Sequence, residues 1–214
     1  MTSRVFGTTA LAVVVATTLL AGCSGSDSEG ASAKGTASAS ATPYLPVPDG
    51  VELTPQGKHL EVGDTATVAY QPRQDEVGVL DLGVTKLERT TVKKSLSAWQ
   101  LTAAQKKATP YFVHVRVTNV GETDLGGRRV PLYVVNEDNL LLESTPFASS
   151  FTACPSTALP KKFGPGAKAD MCLVYLAPDA GTLEAVSFRP EETFNPITWE
   201  GEVTAYVAPK AKKK

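Results

Sequence analysis

Three cysteines are the residues of this sequence best suited to covalent chemistry, and they lie in two different settings. Cys23 directly follows an apolar stretch, whereas Cys154 and Cys172 lie in the C-terminal half of the chain. A cysteine sulfur can carry a modification, ligate a metal, exchange electrons or form a disulfide. The residues around each cysteine decide between these chemistries.

The residues before Cys23 have the layout of an export signal. Arg4 supplies positive charge near the start, and an apolar core too short to span a bilayer follows it. The tetrapeptide Leu20-Ala21-Gly22-Cys23 resembles the bacterial lipobox. The resemblance implies cleavage before the cysteine, a diacylglyceryl group on its sulfur, and tethering to a membrane through that lipid. The alternative is an ordinary signal peptide with a chance cysteine.

Cys154 and Cys172 are the remaining pair, and in an exported domain such a pair most simply forms a disulfide. The bridge would close an excursion rich in Pro and Gly. In the entropy model, closing a loop of this length contributes roughly 3 kcal/mol to stability. A redox or metal role is the alternative, but the sequence contains no Cys-x-x-Cys spacing to support it.

Residues for nucleophilic, metal or phosphate chemistry form no recognisable pattern. The two histidines, His59 and His114, have no second ligand at metal spacing, and a Gly-x-Ser-x-Gly motif is absent. Glu191 and Glu192 are adjacent, but adjacency in sequence does not place two carboxylates across a scissile bond. We therefore predict no catalytic residues, no metal site and no cofactor.

Basic doublets are the side chains best suited to reversible binding. If the fold brings them together, they form a patch for anionic glycans or phosphate-rich polymers. The alternative is solvated surface. Lys and Arg number 21, and Asp and Glu number 22. The sequence therefore lacks the excess of basic residues that indicates binding to a nucleic acid. The doublets are 93–94, 106–107, Arg128 with Arg129, and Lys161 with Lys162; the last two pairs are the candidate binding residues.

Composition divides the chain into four parts. Residues 1–22 are the predicted signal peptide. Residues 23–47 hold the lipidated cysteine and a Ser, Gly and Ala linker that buries too little apolar surface to order itself. Residues 48–208 have the length of one folded domain, and residues 209–214 form a short basic tail.

Short stretches with apolar residues at alternate positions predict an all-β domain. Many such stretches separated by turn residues are typical of a β-sandwich or barrel. One segment departs from this pattern, because Thr102 and Gln105 have capping-box spacing and predict a short helix at 103–107. Gly126–Gly127 predicts a hairpin-type turn. The predicted strands include 66–70, 80–84, 111–118, 130–136, 171–176, 184–188 and 203–207.

Four short motifs lie in or between these stretches. They are an apolar strand ending at Thr118-Asn119, the turn 163–166, the strand 173–175 closing at Pro178, and residues 197–199. The first three resemble the telokin-like, immunoglobulin-fold domains of secreted mycobacterial antigens and of many uncharacterised bacterial lipoproteins, and residues 197–199 resemble an actinobacterial lipoprotein group. The resemblance covers about residues 60–200 and implies an immunoglobulin-like β-sandwich. It carries over no activity and no site residues.

Together these features predict a lipid-anchored, non-catalytic binding or scaffolding protein on the outer face of the cytoplasmic membrane. Its expected partners are the membrane, through the Cys23 lipid, and an envelope protein or anionic polymer held by loops that include 154–172. A cell-envelope hydrolase with a carboxylate-based site and a purely structural spacer are the alternatives. The envelope type stays open: Ser24 after the cysteine resembles outer-membrane sorting, whereas the family resemblance suggests an actinobacterial cell.

Overall fold

The structure is a computed structural model that describes residues 43–147 and 149–208. The predicted signal peptide, the lipidation site at Cys23, most of the predicted linker and the tail at 209–214 lie outside these residues. In chain order the elements are β1 (His59–Glu61), β2 (Thr65–Arg73), β3 (Glu76–Arg89), α1 (Val92–Ser95), α2 (Ala103–Lys107), β4 (Thr109–Asn119), β5 (Tyr133–Asn136), β6 (Leu141–Glu143), β7 (Lys168–Ala177), a 3-10 turn (Pro178–Ala180), β8 (Leu183–Phe188), β9 (Ile197–Glu200) and β10 (Val203–Ala205).

The strands form two sheets. The first sheet has the strand order β1-β9-β8-β5-β6, and the second has the order β10-β3-β4-β7 with β2 also paired to β3. The long strand β3 pairs along one edge with β2 and then, at Leu87–Arg89, with β10. Pairs within each sheet are antiparallel except for the two outer pairs, β1 with β9 and β10 with β3.

Alternation along the strands places one apolar face of each sheet in a shared core. In β4, Tyr111, Val113 and Val115 are buried in this core. The first sheet contributes Trp199, which is fully buried and whose Nε1–H donates to the Asp64 carbonyl at 3.1 Å. Two sheets that bury their apolar faces in one core form a sandwich. The predicted all-β sandwich is confirmed at this level.

A second apolar cluster, here called the outer cluster, covers part of the outer face of the second sheet. Phe112 points away from the shared core and packs with Leu96, Phe151 and Tyr206. The ring centroids of Phe112 and Tyr206 are 4.9 Å apart. Through Leu96, the connection between β3 and β4 is packed onto the sheet.

The predicted helix at 103–107 is confirmed residue for residue. Thr102 Oγ1 accepts a hydrogen bond from the Gln105 N–H at 3.2 Å, and Gln105 Oε1 accepts one from the Thr102 N–H at 3.0 Å. This reciprocal pair satisfies two donors that a helix start leaves unpaired. Among the described residues, no helix is long and apolar enough to cross a membrane.

The predicted hairpin at Gly126–Gly127 is wrong. The connection that contains these glycines runs from β4 in the second sheet to β5 in the first, so it crosses the sandwich. A turn is nevertheless present, because Gly127 has a φ of 71°, which glycine adopts with the least strain. Residues 126–127 therefore do form a turn, but the strands on either side of it do not pair with each other.

The connections divide between two ends of the sandwich. One end, here called the loop end, carries the connections 73–76, 120–132 and 189–196 and the part of the long connection between β6 and β7 that pairs with 124–129. The other, here called the helical end, carries the connection 90–108 with both helices and the hairpin 137–140.

Tyr44 falls in the predicted linker but packs against the domain. Its ring centroid lies 4.9 Å from that of Phe194 at the loop end. Its hydroxyl oxygen accepts a hydrogen bond from the Ala69 N–H at 2.9 Å. The packed part of the described chain therefore begins before the predicted boundary at residue 48, and it begins near the loop end.

Two buried tyrosines predict opposite responses to loss of a hydroxyl. The Tyr175 hydroxyl donates to the Leu132 carbonyl at 2.9 Å, whereas the buried Tyr70 hydroxyl has no hydrogen-bond partner among the described residues. Burial raises the pKa of both groups, that of Tyr70 to about 12.

We expect Tyr175→Phe to lower the free energy of unfolding by about 1–2 kcal/mol, because it leaves the buried Leu132 carbonyl without this hydrogen bond. Tyr70→Phe should leave it unchanged or raise it. Urea unfolding measures both, and equal losses would contradict this account.

Candidate functional site

The loop end brings the four candidate basic residues onto two neighbouring segments. Segment 124–129 carries both arginines, and segment 158–163 carries both lysines. The Leu159 N–H donates to the Arg128 carbonyl at 2.8 Å, so the two segments run side by side. Three further backbone hydrogen bonds join them: Gly127 N–H to the carbonyls of Leu159 and Pro160, and Leu125 N–H to that of Phe163.

Asp124 fixes the turn between these segments. Its Oδ1 accepts hydrogen bonds from the backbone N–H groups of Phe163 and Gly126, each at 2.9 Å. These bonds, and then the positive charge of Lys162, hold the pKa of the Asp124 carboxyl below its usual value. A side chain at Gly126 would overlap the Lys161 carbonyl, so glycine is required where the segments approach.

The two arginines are already paired with carboxylates. Arg128 Nη2 lies 3.0 Å from Glu76 Oε2 in a half-buried ion pair. Arg129 Nη1 lies 3.6 Å from Glu143 Oε2 in an exposed one. Because each guanidinium has a carboxylate partner, the arginines add little net positive charge to the surface. The sequence alone did not show which basic doublet is neutralised by carboxylates. The structure shows that the two arginines are.

Lys161 and Lys162 are exposed and form no ion pair with a carboxylate among the residues that the structure describes. Their backbone is held by the hydrogen bonds to segment 124–129, while their ammonium groups face solvent. Exposed cations on an ordered backbone can pair with an anionic partner without first breaking an internal ion pair. Lys161 and Lys162 are therefore exposed cations of the loop end without an ion-pair partner among the described residues.

Two adjacent cavities open beside the arginines. The first, of about 290 Å³, is lined by residues of both sheets, including Tyr70, Arg128 and Tyr133. The second, of about 620 Å³, is lined by Phe151 among others and shares Arg129 with the first. Small-ligand sites have volumes of roughly 300–1,000 Å³. The cavities therefore match the size of a small ligand or of one unit of a larger partner.

The predicted disulfide between Cys154 and Cys172 is present, with a Cα–Cα distance of 5.1 Å. It fastens the connection after β6 along the outer edge of β7. There, the Ser156 N–H donates to the Cys172 carbonyl at 2.9 Å, and the Val174 N–H donates to Ser156 Oγ at 3.0 Å. The connection thus satisfies backbone groups that an edge strand would leave unpaired.

The surroundings of the two sulfurs are typical of a structural disulfide. Cys154 is fully buried in the outer cluster, whereas Cys172 is half-buried. Attack by an external thiol at the more accessible Cys172 would release Cys154 as a thiolate among apolar side chains, which disfavour the charge. The alternative redox role has no support in this geometry.

A polar cluster beside this disulfide was not anticipated from the sequence. His114 Nε2 lies 2.8 Å from Glu88 Oε2 and 3.9 Å from Cys172 Sγ, and Lys86 Nζ lies 2.6 Å from Glu88 Oε1. Burial alone would raise the pKa of Glu88, but the hydrogen bonds from Lys86 and His114 outweigh it and lower the pKa. Among the described residues, no group of three or more His, Cys, Asp or Glu side chains could hold a metal ion.

Comparison with known proteins returned no match. No family model, no curated protein and no solved structure matches this chain. The resemblance to telokin-like, immunoglobulin-fold domains stays a prediction. The function of this protein must therefore be inferred from its own residues and their geometry.

Proposed function

We propose that this protein is a lipid-anchored lipoprotein on the outer face of the cytoplasmic membrane. Its immunoglobulin-like β-sandwich would act as a non-catalytic binding or scaffolding module for an envelope protein or anionic polymer. The observation that carries the proposal is that Lys161 and Lys162 are exposed on the ordered backbone of the loop end and form no ion pair with any other residue that the structure describes.

Order in the loop supports binding because it lowers the conformational entropy lost on association. The connection that bears the lysines is fastened at one side by the Cys154–Cys172 bridge and at the other by Asp124. Loops held by a rigid β scaffold are common binding sites. The two cavities beside Arg129 add concave surface next to the cations.

The two carboxylates beside the candidate arginines support a non-catalytic role. Glu76 and Glu143 are ion-pair partners of Arg128 and Arg129. Glycoside hydrolysis instead needs two carboxyl groups that face each other across the scissile bond. The hydrolase alternative therefore has no geometric support in these residues.

The lipid anchor is supported by the residues before Cys23 alone, and the anchor would join the domain near the proposed binding surface. Tyr44, the first packed side chain among the residues that the structure describes, contacts Phe194 at the loop end. A tether that enters there would hold the loop end on the membrane side of the domain. A partner bound by this end would lie between the domain and the bilayer or beside it.

Substitution of both lysines tests this proposal. We expect Lys161→Ser with Lys162→Ser to reduce recovery of the partner, crosslinked in intact cells, by about thirtyfold, since each exposed cation near an anionic surface contributes about 1 kcal/mol. Thermal stability should be unchanged, because neither side chain forms an ion pair with a described residue.

The matched control is Lys161→Arg with Lys162→Arg, which keeps both charges and should keep recovery. If the serine variant, displayed at the same level, recovered as much partner as the unmodified protein, the binding site would lie elsewhere on the domain. Turnover of an envelope polymer by the purified protein would contradict the non-catalytic role. If no partner were crosslinked at all, the spacer alternative would replace the proposal.

A further inference from the structure

One cavity of the loop end is bordered by two buried polar atoms without a hydrogen-bond partner. It is the cavity of about 290 Å³ that residues of both sheets line, here called the central cavity. Tyr70 lines it from β2 and is 7% exposed, and its hydroxyl has no partner among the described residues. The same is true of Nε of Arg128, which also lines the cavity. Buried polar atoms without a partner are rare in folded proteins, so these two call for an explanation.

Both atoms are hydrogen-bond donors. Burial raises the pKa of the Tyr70 hydroxyl to about 12, against the positive charge of Arg128, which lowers it. The hydroxyl is therefore protonated at neutral pH and can donate, and the Nε–H of a guanidinium can only donate. A buried donor is costly as long as no acceptor reaches it. An occupant with acceptor oxygens at the wall of the cavity would remove this cost.

The charged side chains around the central cavity favour an uncharged occupant. Arg128 Nη2 lies 3.0 Å from Glu76 Oε2, and Arg129 Nη1 lies 3.6 Å from Glu143 Oε2. Arg129 and Glu143 both line the cavity. An anion would compete with these carboxylates for the guanidinium groups, and a cation would lie beside two arginines. A neutral molecule leaves both ion pairs intact.

The walls of the central cavity favour a ring-shaped occupant. Tyr133 and three prolines line it, and these rigid side chains present flat apolar surfaces that suit the C–H face of a sugar ring. Small-ligand sites combine such walls with a few placed polar groups. The hydroxyl and ether oxygens of a sugar can accept hydrogen bonds. A peptide would also bring backbone N–H groups that need acceptors of their own. The prolines are Pro72, Pro131 and Pro190.

Two further cavities adjoin the central cavity at different walls. The cavity of about 620 Å³ shares Arg129 and Ser144 with it. Another, of about 180 Å³, shares Tyr70 and Gln71 with it and is also lined by Tyr44. The concave surface is therefore longer than a single ring. Three adjoining cavities suit a chain of linked rings better than one small molecule.

We propose that the central cavity binds one ring of an uncharged oligosaccharide, whose neighbouring rings occupy the two adjoining cavities. Tyr70 and Arg128 donate to oxygens of the central ring, and Tyr133 packs against its face. This site goes beyond the proposed function, because Lys161 and Lys162 line none of the three cavities. It does not depend on the lipid anchor.

The test is calorimetric titration of the full chain with tetrasaccharides of glucose, of mannose and of galactose. We expect saturable binding of at least one of them. Tyr70→Phe should weaken that binding about fivefold, since it removes one hydrogen bond, in a protein at least as stable as the unmodified one. Ser144→Trp, which places a large side chain where the central cavity meets the cavity of about 620 Å³, should weaken it about tenfold or more.

The matched control is Tyr111→Phe. The Tyr111 hydroxyl donates to the Gly181 carbonyl at 3.2 Å, and Tyr111 lines none of the three cavities. This variant also loses one tyrosine hydroxyl and should keep the affinity of the unmodified protein. Tetragalacturonate, whose rings carry carboxylates, should bind more weakly than the neutral tetrasaccharides.

The inference would be overturned if no neutral tetrasaccharide showed saturable binding, or if Tyr70→Phe bound as tightly as the unmodified protein. Tighter binding of tetragalacturonate or of a decaproline peptide would overturn it as well. The loop-end proposal, which rests on Lys161 and Lys162, fails separately through unchanged partner recovery in its own variant. That variant should keep the affinity for the tetrasaccharide.

Discussion

Replacement of both Cys154 and Cys172 by alanine is expected to lower the free energy of unfolding by about 3 kcal/mol. The two residues are 18 positions apart. The bridge stabilises the fold mainly because it reduces the conformational entropy of this loop in the unfolded chain. In the folded state the bridge also holds the connection that covers the edge of β7 through Ser156. Urea unfolding of the double variant against the oxidised protein measures the loss.

The control is the unmodified protein unfolded in the presence of a thiol reductant, which should approach the stability of the double variant. The loss should also weaken partner binding at Lys161 and Lys162, since their connection would be less ordered. An unfolding midpoint within error of that of the oxidised protein would contradict the structural role of the bridge. It would mean that the hydrogen bonds of Ser156 suffice to hold the connection.

Replacement of Cys23 by serine is expected to remove the mature, signal-cleaved protein from the membrane fraction. A serine oxygen cannot replace the cysteine sulfur in the thioether that carries the lipid. The variant should appear in the soluble extracytoplasmic fraction or accumulate as an uncleaved precursor. Fractionation followed by intact-mass measurement distinguishes these forms.

Ser24→Ala is the matched control for this substitution and should stay with the membrane. A Cys23→Ser variant that loses its signal peptide and still fractionates with the membrane would show that the lipobox interpretation is wrong. In that case the chain would be held by a protein partner or by another segment. The loop-end proposal would then need a different account of how the domain is displayed.

Local signals in the sequence predicted the elements whose causes are local. The alternation of apolar residues in 111–118 predicted which side chains of β4 face the core, because successive strand residues point to opposite faces. Thr102 and Gln105 predicted α2 because a capping box needs only residues of one turn. Cys154 and Cys172 predicted the bridge because no other pair was available.

The same local patterns did not predict which strands pair with each other or in which register. Glu88 lies beside His114 only because β3 has a register shift between Val84 and Lys86, which turns Lys86 and Glu88 to the outer face. Nothing in the local sequence signals such a bulge. The parallel partners of the outer strands β1 and β10 are likewise set by where the chain returns after many residues.

The candidate site, too, could be predicted from the sequence only in part. The sequence predicted Arg128, Arg129, Lys161 and Lys162 as one group of basic doublets, and backbone pairing does bring them together. It did not show that Glu76 and Glu143 neutralise the arginines, since these partners lie far away in sequence. Only the packed structure distinguishes compensated charges from free ones.

Photocrosslinking from the loop end in intact cells tests the central claim most directly. A photoreactive residue at Thr157, exposed close to Lys161, should capture a discrete protein band or a polymer ladder. The same residue at Asp138, exposed in the hairpin of the helical end, serves as the control. The account predicts capture at 157 that is lost when Lys161 and Lys162 are changed to Ser. Capture that is equal at 138, or that survives the lysine substitutions, would contradict it.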